Sequence, residues 1–234
     1  MNPSDKMIRV LDHGYIRLID SMGSDLSIAR AARVSYDAAW RAGEDEGSDA
    51  KLIRYLWKNK HSTPFEAVEF QFEVMAPIFV FRQWHRHRAA SINELSGRYR
   101  ELPETYYLPE PENIGTQSTS SKQARDLTGD PSGEHRAKRS LEIAYINRHC
   151  RAAFAHYQAL LASGWPRELA RMVLPLNTYS HMFWKTNLRM LFHFLTLRCD
   201  PHAQWEIRQY AEAMRELARP IAPVAMSAWE EAPT

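Results

Sequence analysis

After Glu66, apolar and polar side chains alternate without interruption from residue 68 to residue 74. The apolar positions, which would share one face of an extended segment, are Val68, Phe70, Phe72 and Val74. The polar positions between them are Glu69, Gln71 and Glu73. A period of two residues is the pattern of a β-strand that buries one face and exposes the other. This segment is therefore the clearest strand in the chain.

Helical patterns flank this strand on both sides. Apolar residues recur at helical spacing in residues 24–34 and 49–60, with Ser48 as the predicted N-cap of the second helix. Residues 61–66 place a threonine before a proline, with a glutamate three residues on, which is typical of a capped helical turn. Residues 78–84 follow a proline and predict another helix.

The second half of the chain predicts more helices and one further strand. Residues 102–140 are rich in proline, glycine and polar side chains and predict a long irregular excursion. The elements expected after it are a helix over 141–161, a helix over 166–174, a strand over 178–186, a helix capped by Asn187 that runs to Leu197, and a long helix from Asp200 to about Arg219. Helices and antiparallel strands without regular βαβ alternation predict an α+β fold, which we expect to form a single domain over residues 1–234.

The composition is that of a globular protein. The 234 residues are 44% hydrophobic and 25% charged, and their net charge of +2 is too small to attract a nucleic-acid polymer to the whole surface. Cys150 and Cys199 form no metal-type pair, the first ten residues lack the apolar run of a secretion signal, and no segment is apolar enough for a membrane helix. We therefore expect a soluble, cytoplasmic protein without a metal site.

Basic charge is concentrated between residues 82 and 100, where five arginines face one acidic residue, Glu94. Guanidinium groups match phosphate oxygens two at a time, so this cluster suits an anionic ligand such as a nucleotide phosphate. Two other interpretations remain open at this point. The arginines could form a solvated helix face paired with Glu69 and Glu73 of the strand, or a strip that binds nucleic acid with help from neighbouring aromatic rings.

A family resemblance begins in the same segment. Arg86, His87 and Arg88, then seven residues, then Ser96 reproduce the Arg-His-Arg-x7-Ser signature of the flavin-dependent thymidylate synthases, and the whole run of residues 91–99 is similar to that family. Further matches, in the family's order, cover residues 31–35, 61–66, 167–171, 174–177, 187–189, 194–198 and 202–207. Residues 113–140 match no family motif and could be an insertion.

The resemblance implies a central antiparallel sheet flanked by long helices, and a homotetramer whose active sites take residues from neighbouring subunits. It also implies an enzyme that methylates dUMP to dTMP. The one-carbon donor would be 5,10-methylenetetrahydrofolate, the flavin would be FAD reduced by NADPH, and tetrahydrofolate would be released. A relative that methylates another uracil-containing substrate is also compatible with these residues.

The same resemblance implies the binding residues. Those along the flavin would be Thr63, Arg86, His87, Arg88, Glu94, Asn187, Arg189 and His193. Those that hold the nucleotide would be Gln83, Arg86, Glu94, Leu95, Ser96, Gly97, Arg98, Arg171 and Arg198. His61 is a candidate for the folate or nicotinamide site. By residue type alone, His193 on an apolar helix would equally suit a histidine of the core.

Arg198 matches the family's catalytic arginine. A guanidinium cannot act as a base at neutral pH, but it can stabilise an anionic uracil ring and so raise the nucleophilicity of ring carbon C5. By position alone, Arg198 could instead complement the dipole at the end of a helix. The neighbouring Cys199 is not expected to be a nucleophile, because nothing around it resembles the cysteine-dependent thymidylate synthases. Ser96 lacks an evident partner base and is expected to bind rather than to react.

Overall fold

The computed structural model describes residues 7–127 and 133–232. The strands in these residues are β1 (Met7–Val10), β2 (Gly14–Met22), β3 (Glu69–Pro77), β4 (Ser91–Glu94), β5 (Thr116–Gln117), β6 (Arg125–Asp126) and β7 (Tyr179–Asn187). The α-helices are α1 (Asp25–Arg33), α2 (Glu46–Lys58), α3 (Ile78–Trp84), α4 (Gly133–Ala162), α5 (Arg167–Ala170), α6 (Leu188–Arg198), α7 (Trp205–Ala218) and α8 (Pro223–Glu230).

The strands form an antiparallel sheet in the order β1-β2-β3-β7-β4, and β5 and β6 pair separately as a small antiparallel hairpin. The α+β prediction, with an antiparallel sheet and long helices, is confirmed. In β3 the predicted apolar face is buried: Phe70, Phe72 and Val74 are at most 1% exposed. These side chains meet apolar residues of α6 and α7 in one core that extends from β1 to α8.

The predicted turn at 61–66 and the helix at 78–84 correspond to a 3-10 helix, Thr63–Ala67, and to α3. The predicted helix at 24–34 is α1, which Ser24 caps. The prediction for the second helix was wrong at its start: α2 begins at Glu46, and its N-cap is Asp45, whose carboxylate accepts a hydrogen bond from the Ser48 amide. Ser48 therefore donates the capping hydrogen bond instead of accepting it, because it lies three positions after the N-cap residue Asp45.

Three boundaries in the second half also differ. The helix expected from residue 141 begins at residue 133, in a polar stretch whose sequence has no apolar periodicity. The helix expected over 166–174 divides into α5 and a short 3-10 turn, Arg171–Val173. The last long helix begins at Trp205, because the Asp200 carboxylate accepts the backbone N–H of His202 and forms a separate turn. The sequence did not predict β1, β2, β4, the hairpin or α8.

Within residues 7–127 and 133–232, none of the helices combines the length and the apolar character needed to cross a membrane.

Candidate active site

Arg198, the last residue of α6, is held by two residues of the α3 region. Its Nε donates to His87 Nε2 at 3.0 Å, and its Nη1 and Nη2 lie 3.4 Å and 3.5 Å from the side-chain and main-chain oxygens of Gln83. Packing of the Trp84 ring against Phe194, with centroids 4.9 Å apart, holds α3 against α6. The fold therefore brings Arg198 together with Gln83 and His87, which were predicted from a motif more than 100 residues earlier in the chain.

The imidazole of His87 is buried and neutral. Burial, the nearby Arg198 charge and His193 lower the pKa of His87 from 6.5 to about 4. The neutral ring can therefore accept the Arg198 hydrogen bond at Nε2, which leaves the proton on Nδ1. That Nδ1 is buried and has no hydrogen-bond partner among the described residues. His87 thus holds an unused donor beside the Arg198 guanidinium.

The positive charge of Arg198 is not neutralised. Burial and the like charge of Arg86 lower its pKa from 12.5, and no carboxylate of the described residues pairs with it. Among the five arginines of residues 82–100, Arg98 is the one that forms an ion pair within the described part of the chain. Bringing an anion to this region would offset both the lost hydration and the mutual repulsion of the guanidinium groups.

A cavity of about 300 Å³ lies next to this cluster. It is lined by Arg86, His87, Arg88, Ala89, Trp184, Met190 and His193. The His193 side chain is exposed, and its ring centroid lies 5.6 Å from that of His87. The alternative that His193 is a core histidine was therefore wrong, because α6 turns this position away from the core and towards the cavity.

The other end of α6 carries a second set of predicted residues. The Asn187 side chain caps the helix by accepting the Met190 amide at 2.9 Å. Arg189 pairs with Glu66 at 2.5 Å, which joins α6 to the 3-10 helix that begins at Thr63. At about 1.5 Å of rise per residue, Arg189 and Arg198 are separated by about 14 Å along the helix. Helix α6 therefore connects the two ends of the predicted flavin site.

Ser96, Gly97, Arg98 and Arg171 form another group. A Cβ on Gly97 would lie 3.1 Å from the Arg171 Cδ, so the absence of a side chain admits that arginine. Glu168 holds both guanidinium groups: its carboxylate lies 3.2 Å from Arg98 Nε, and its main-chain oxygen accepts from Arg171 Nε at 3.4 Å. The sequence motif included Glu168, but its role in holding these arginines was not predicted.

Glu94 and Leu95 connect this group to the sheet. Glu94 ends β4, where its carboxylate accepts from the Ser180 hydroxyl at 2.6 Å and lies 3.5 Å from His85 Nε2. The Leu95 amide donates to the main-chain oxygen of His181 at 2.7 Å. Within the described residues, no hydrogen bond or ion pair joins the Ser96–Arg98 and Arg171 group to Arg86, His87 or Arg198.

The remaining predicted residues lie outside these contacts. His61 is exposed and edge-on to Tyr55, with ring centroids 6.2 Å apart. Glu69 pairs with Lys185, and Glu73 binds Arg17 and His181. The alternative that the 82–100 arginines pair with these two glutamates was therefore wrong.

The structure gives no support to Cys199 or Ser96 as a nucleophile. Burial raises the pKa of the Cys199 thiol to about 11, which leaves little thiolate at neutral pH. The Ser96 hydroxyl accepts the Arg98 amide at 3.3 Å, and within the described residues it forms no hydrogen bond to a side-chain base. The same residues contain no group of three or more His, Cys, Asp or Glu side chains that could hold a metal ion.

An unneutralised arginine cluster beside a cavity suits a ligand that carries phosphate groups. The sequence profile of the family described as "Thymidylate synthase complementing protein" matches residues 17–224. The flavin-dependent thymidylate synthase of Thermus thermophilus is 48% identical over 96% of this chain and 78% of its own length. That of Rickettsia conorii is 45% identical, with the same two coverages.

A solved structure agrees with these sequence matches. The UMP/dUMP methylase PolB from Streptomyces cacaoi, bound with 5-Br dUMP, is 36% identical to this chain with a TM-score of 0.83, over 95% of this chain and 97% of PolB. The chain belongs to the flavin-dependent thymidylate synthases, as the Arg-His-Arg-x7-Ser signature predicted.

Proposed function

We propose that this enzyme converts dUMP, 5,10-methylenetetrahydrofolate, NADPH and a proton into dTMP, tetrahydrofolate and NADP⁺, with FAD as its cofactor. The observation that carries the proposal is the state of Arg198: its guanidinium is half-buried, lacks a carboxylate partner in the described residues, and is aimed by neutral His87. Such a group is prepared to stabilise a developing anion.

Arg198 is proposed as the catalytic residue. Its guanidinium would bind the N3 and O4 edge of the uracil ring and stabilise negative charge there, which raises the nucleophilicity of C5. His87 accepts the Nε hydrogen and Gln83 accepts from Nη1, so these two residues fix the direction of the guanidinium plane. The role of His87 requires its neutral form, which a pKa of about 4 provides.

The residues around the cavity fit a flavin dinucleotide. The unused Nδ1–H of His87 offers a donor, and Arg86 and Arg88 offer unpaired charge for phosphates. The residues proposed to hold FAD are Thr63, Arg86, His87, Arg88, Glu94, Asn187, Arg189 and His193. When bound, FAD would supply reducing equivalents taken from NADPH. His61, at the surface near the start of that site, is proposed for the folate or nicotinamide.

The nucleotide is proposed to lie between two groups of residues. Gln83, Arg86 and Arg198 would face the base, and a phosphate would be bound by Ser96, Gly97, Arg98 and Arg171, with Glu94 and Leu95 supporting that loop. The close approach of Gly97 and Arg171 supports this assignment, since it combines a backbone amide with a guanidinium.

The assembly is proposed to be a homotetramer of single-domain subunits with shared active sites. The main core, which joins β1 to α8, supports a single domain, and a second, smaller apolar cluster contains Phe154, Tyr157 and Ala170. Among residues 7–127 and 133–232, no hydrogen bond or ion pair joins the two groups of nucleotide residues within one chain, which supports a site that is completed by a neighbouring subunit. Both cysteines are free thiols, which fits the reducing conditions of the cytoplasm.

The first test is an anaerobic assay with FAD, dUMP, methylenetetrahydrofolate and NADPH, in which thymidylate is followed by chromatography. Arg198→Ala should lose product formation while it keeps the yellow flavin absorbance of the wild type. Arg41→Ala, which removes an exposed arginine paired with Glu44, is the matched control and should keep full activity. Flavin-loaded wild type that makes no thymidylate would refute the proposal.

UMP is a second candidate substrate, because the structural relative PolB is a methylase of both UMP and dUMP. The same assay with UMP in place of dUMP tests it. Formation of the 5-methylated ribonucleotide at a comparable kcat/KM would make the enzyme a methylase of both nucleotides. Turnover of dUMP alone would limit the activity to thymidylate synthesis.

A further inference from the structure

The carboxamide of Gln83 lies between two partners that require opposite ends of the group. Its Nε2 donates to the Oε1 of Gln204, and its Oε1 accepts from Arg198 Nη1 at 3.4 Å. A rotated carboxamide would turn two N–H groups towards the Arg198 guanidinium, which has only donors. The contacts with Gln204 and Arg198 together fix which end of Gln83 faces Arg198.

Gln204 occupies the N-cap position of α7, but its side chain makes no capping hydrogen bond to that helix. Its carboxamide instead crosses to α3, 121 residues earlier in the chain. The short polar residues Ser, Thr, Asp and Asn at this position commonly use their side-chain oxygen to satisfy the first amides of the helix. Here that oxygen is engaged with Gln83.

We propose that Gln204 is a positioning residue of the nucleotide site, which acts by orienting the Gln83 carboxamide and, through it, the Arg198 guanidinium. The inference rests on the proposed function, because it assigns Gln83 and Arg198 to the face of the uracil ring. A carboxamide held by Gln204 presents a fixed pattern of donors and acceptors to that ring. Without Gln204, the long contact with Arg198 Nη1 at 3.4 Å would be the remaining hydrogen bond that orients the carboxamide in the described structure.

The test compares Gln204→Met with Gln204→Glu by measuring the Kd of dUMP calorimetrically on the FAD-loaded enzyme. Methionine keeps the length of the side chain but has no strong acceptor, so the Kd should rise about fivefold, as for the loss of one hydrogen bond. Glutamate keeps an acceptor oxygen and should bind dUMP more tightly than the methionine variant. Gln209→Met, five residues further along the chain in α7, is the matched control and should bind as the wild type does.

A double-mutant cycle separates positioning from packing. In a Gln83→Met background, Gln204→Met should change the Kd less than twofold, since the residue through which it acts is gone. If Gln204→Met raised the Kd of dUMP equally in the wild-type and Gln83→Met backgrounds, the inference would be overturned. A lower Kd of dUMP in Gln204→Met than in Gln204→Glu would also overturn it. Wild type that fails to bind dUMP would overturn the proposed function itself, and this inference with it.

Discussion

At the scale of single residues, the decisive contact joins positions 111 residues apart: Arg198 donates to His87. Both residues were predicted from local motifs, but no spacing along the sequence could predict their hydrogen bond. The fall in the pKa of His87 was equally inaccessible, because it arises from burial and from the charge of Arg198. A sequence can thus propose which residues form a site, but it does not reveal their protonation states.

The pKa of His87 predicts how stability depends on pH. Its folded value of about 4 lies below the ordinary 6.5, so between these values the unfolded chain binds more protons than the folded one. The contribution of His87 to the free energy of unfolding is fully present above pH 6.5. The free energy of unfolding should then fall by about 1.4 kcal/mol per pH unit as the pH drops towards 4.

Urea unfolding of the flavin-free protein at pH 7, 6 and 5, at one protein concentration, measures this loss. His87→Gln is the matched variant, because its amide oxygen can still accept from Arg198 Nε but does not titrate. The wild type should lose more stability than the variant as the pH falls. Parallel curves for the two proteins would show that His87 is not held neutral by the fold.

Gly97 leads to a second prediction at the residue scale. In Gly97→Ala the new Cβ would lie 3.1 Å from Arg171 Cδ and 3.3 Å from Leu102 Cδ1. The arginine is the more flexible neighbour and should move, which would raise the Kd of dUMP about tenfold with little change in Tm. Gly47→Ala, at the start of α2, is the control and should leave dUMP binding unchanged. Unaltered dUMP affinity in Gly97→Ala would exclude Arg171 from the phosphate site.

At the scale of elements, a strand or helix was predicted where its own few residues carry a regular pattern of apolar and polar side chains. Strand β3 has an uninterrupted alternation, and both it and its neighbour β7 were predicted. Strand β2 was not, because its register shifts between Leu18 and Asp20 and this irregularity breaks the period of two. In the turn before β2, the residue with a positive φ (61°) is Leu11. A leucine does not signal such a turn in the sequence, as a glycine or asparagine would.

Helix α6 supports both ends of the site, so its stability can be tested through its cap. In Asn187→Ala the Met190 amide loses its acceptor, and the free energy of unfolding should fall by about 1 kcal/mol. Asn187→Ser keeps a capping oxygen and should recover most of that loss. Urea unfolding without flavin separates the cap from any contact of Asn187 with the cofactor. Equal stability of the alanine and serine variants would contradict the prediction.

At the scale of the whole molecule, the sequence proposed a set of site residues but not how one chain divides them into two groups. Arg86, His87 and Arg198 lie together, whereas Ser96, Gly97, Arg98 and Arg171 form a separate group held by Glu168. Tertiary packing determines this division, and motif order along the chain contains no information about it. If one nucleotide requires both groups, the proposed tetramer would complete each site from two subunits.

Shared sites predict that inactive variants will complement each other. Arg198→Ala and Arg98→Ala should each be inactive as pure proteins, since each damages one group. When the two are coexpressed with different tags and purified through both, some sites combine an intact Arg198 from one subunit with an intact Arg98 from another. Random assembly should restore about a quarter of the wild-type activity.

The control pairs Arg198→Ala with Arg86→Ala. These residues belong to one group, and the like charge of Arg86 is felt by the Arg198 guanidinium within a single chain. Each site takes Arg86, His87 and Arg198 from one subunit, and in both variants that subunit lacks one of the two arginines. The mixed tetramers should therefore stay inactive. Activity in the first mixture but not in the second requires a site built from two subunits. Inactivity in both mixtures would place the whole site in one chain, where loop movement on binding would have to bring Arg98 to Arg198.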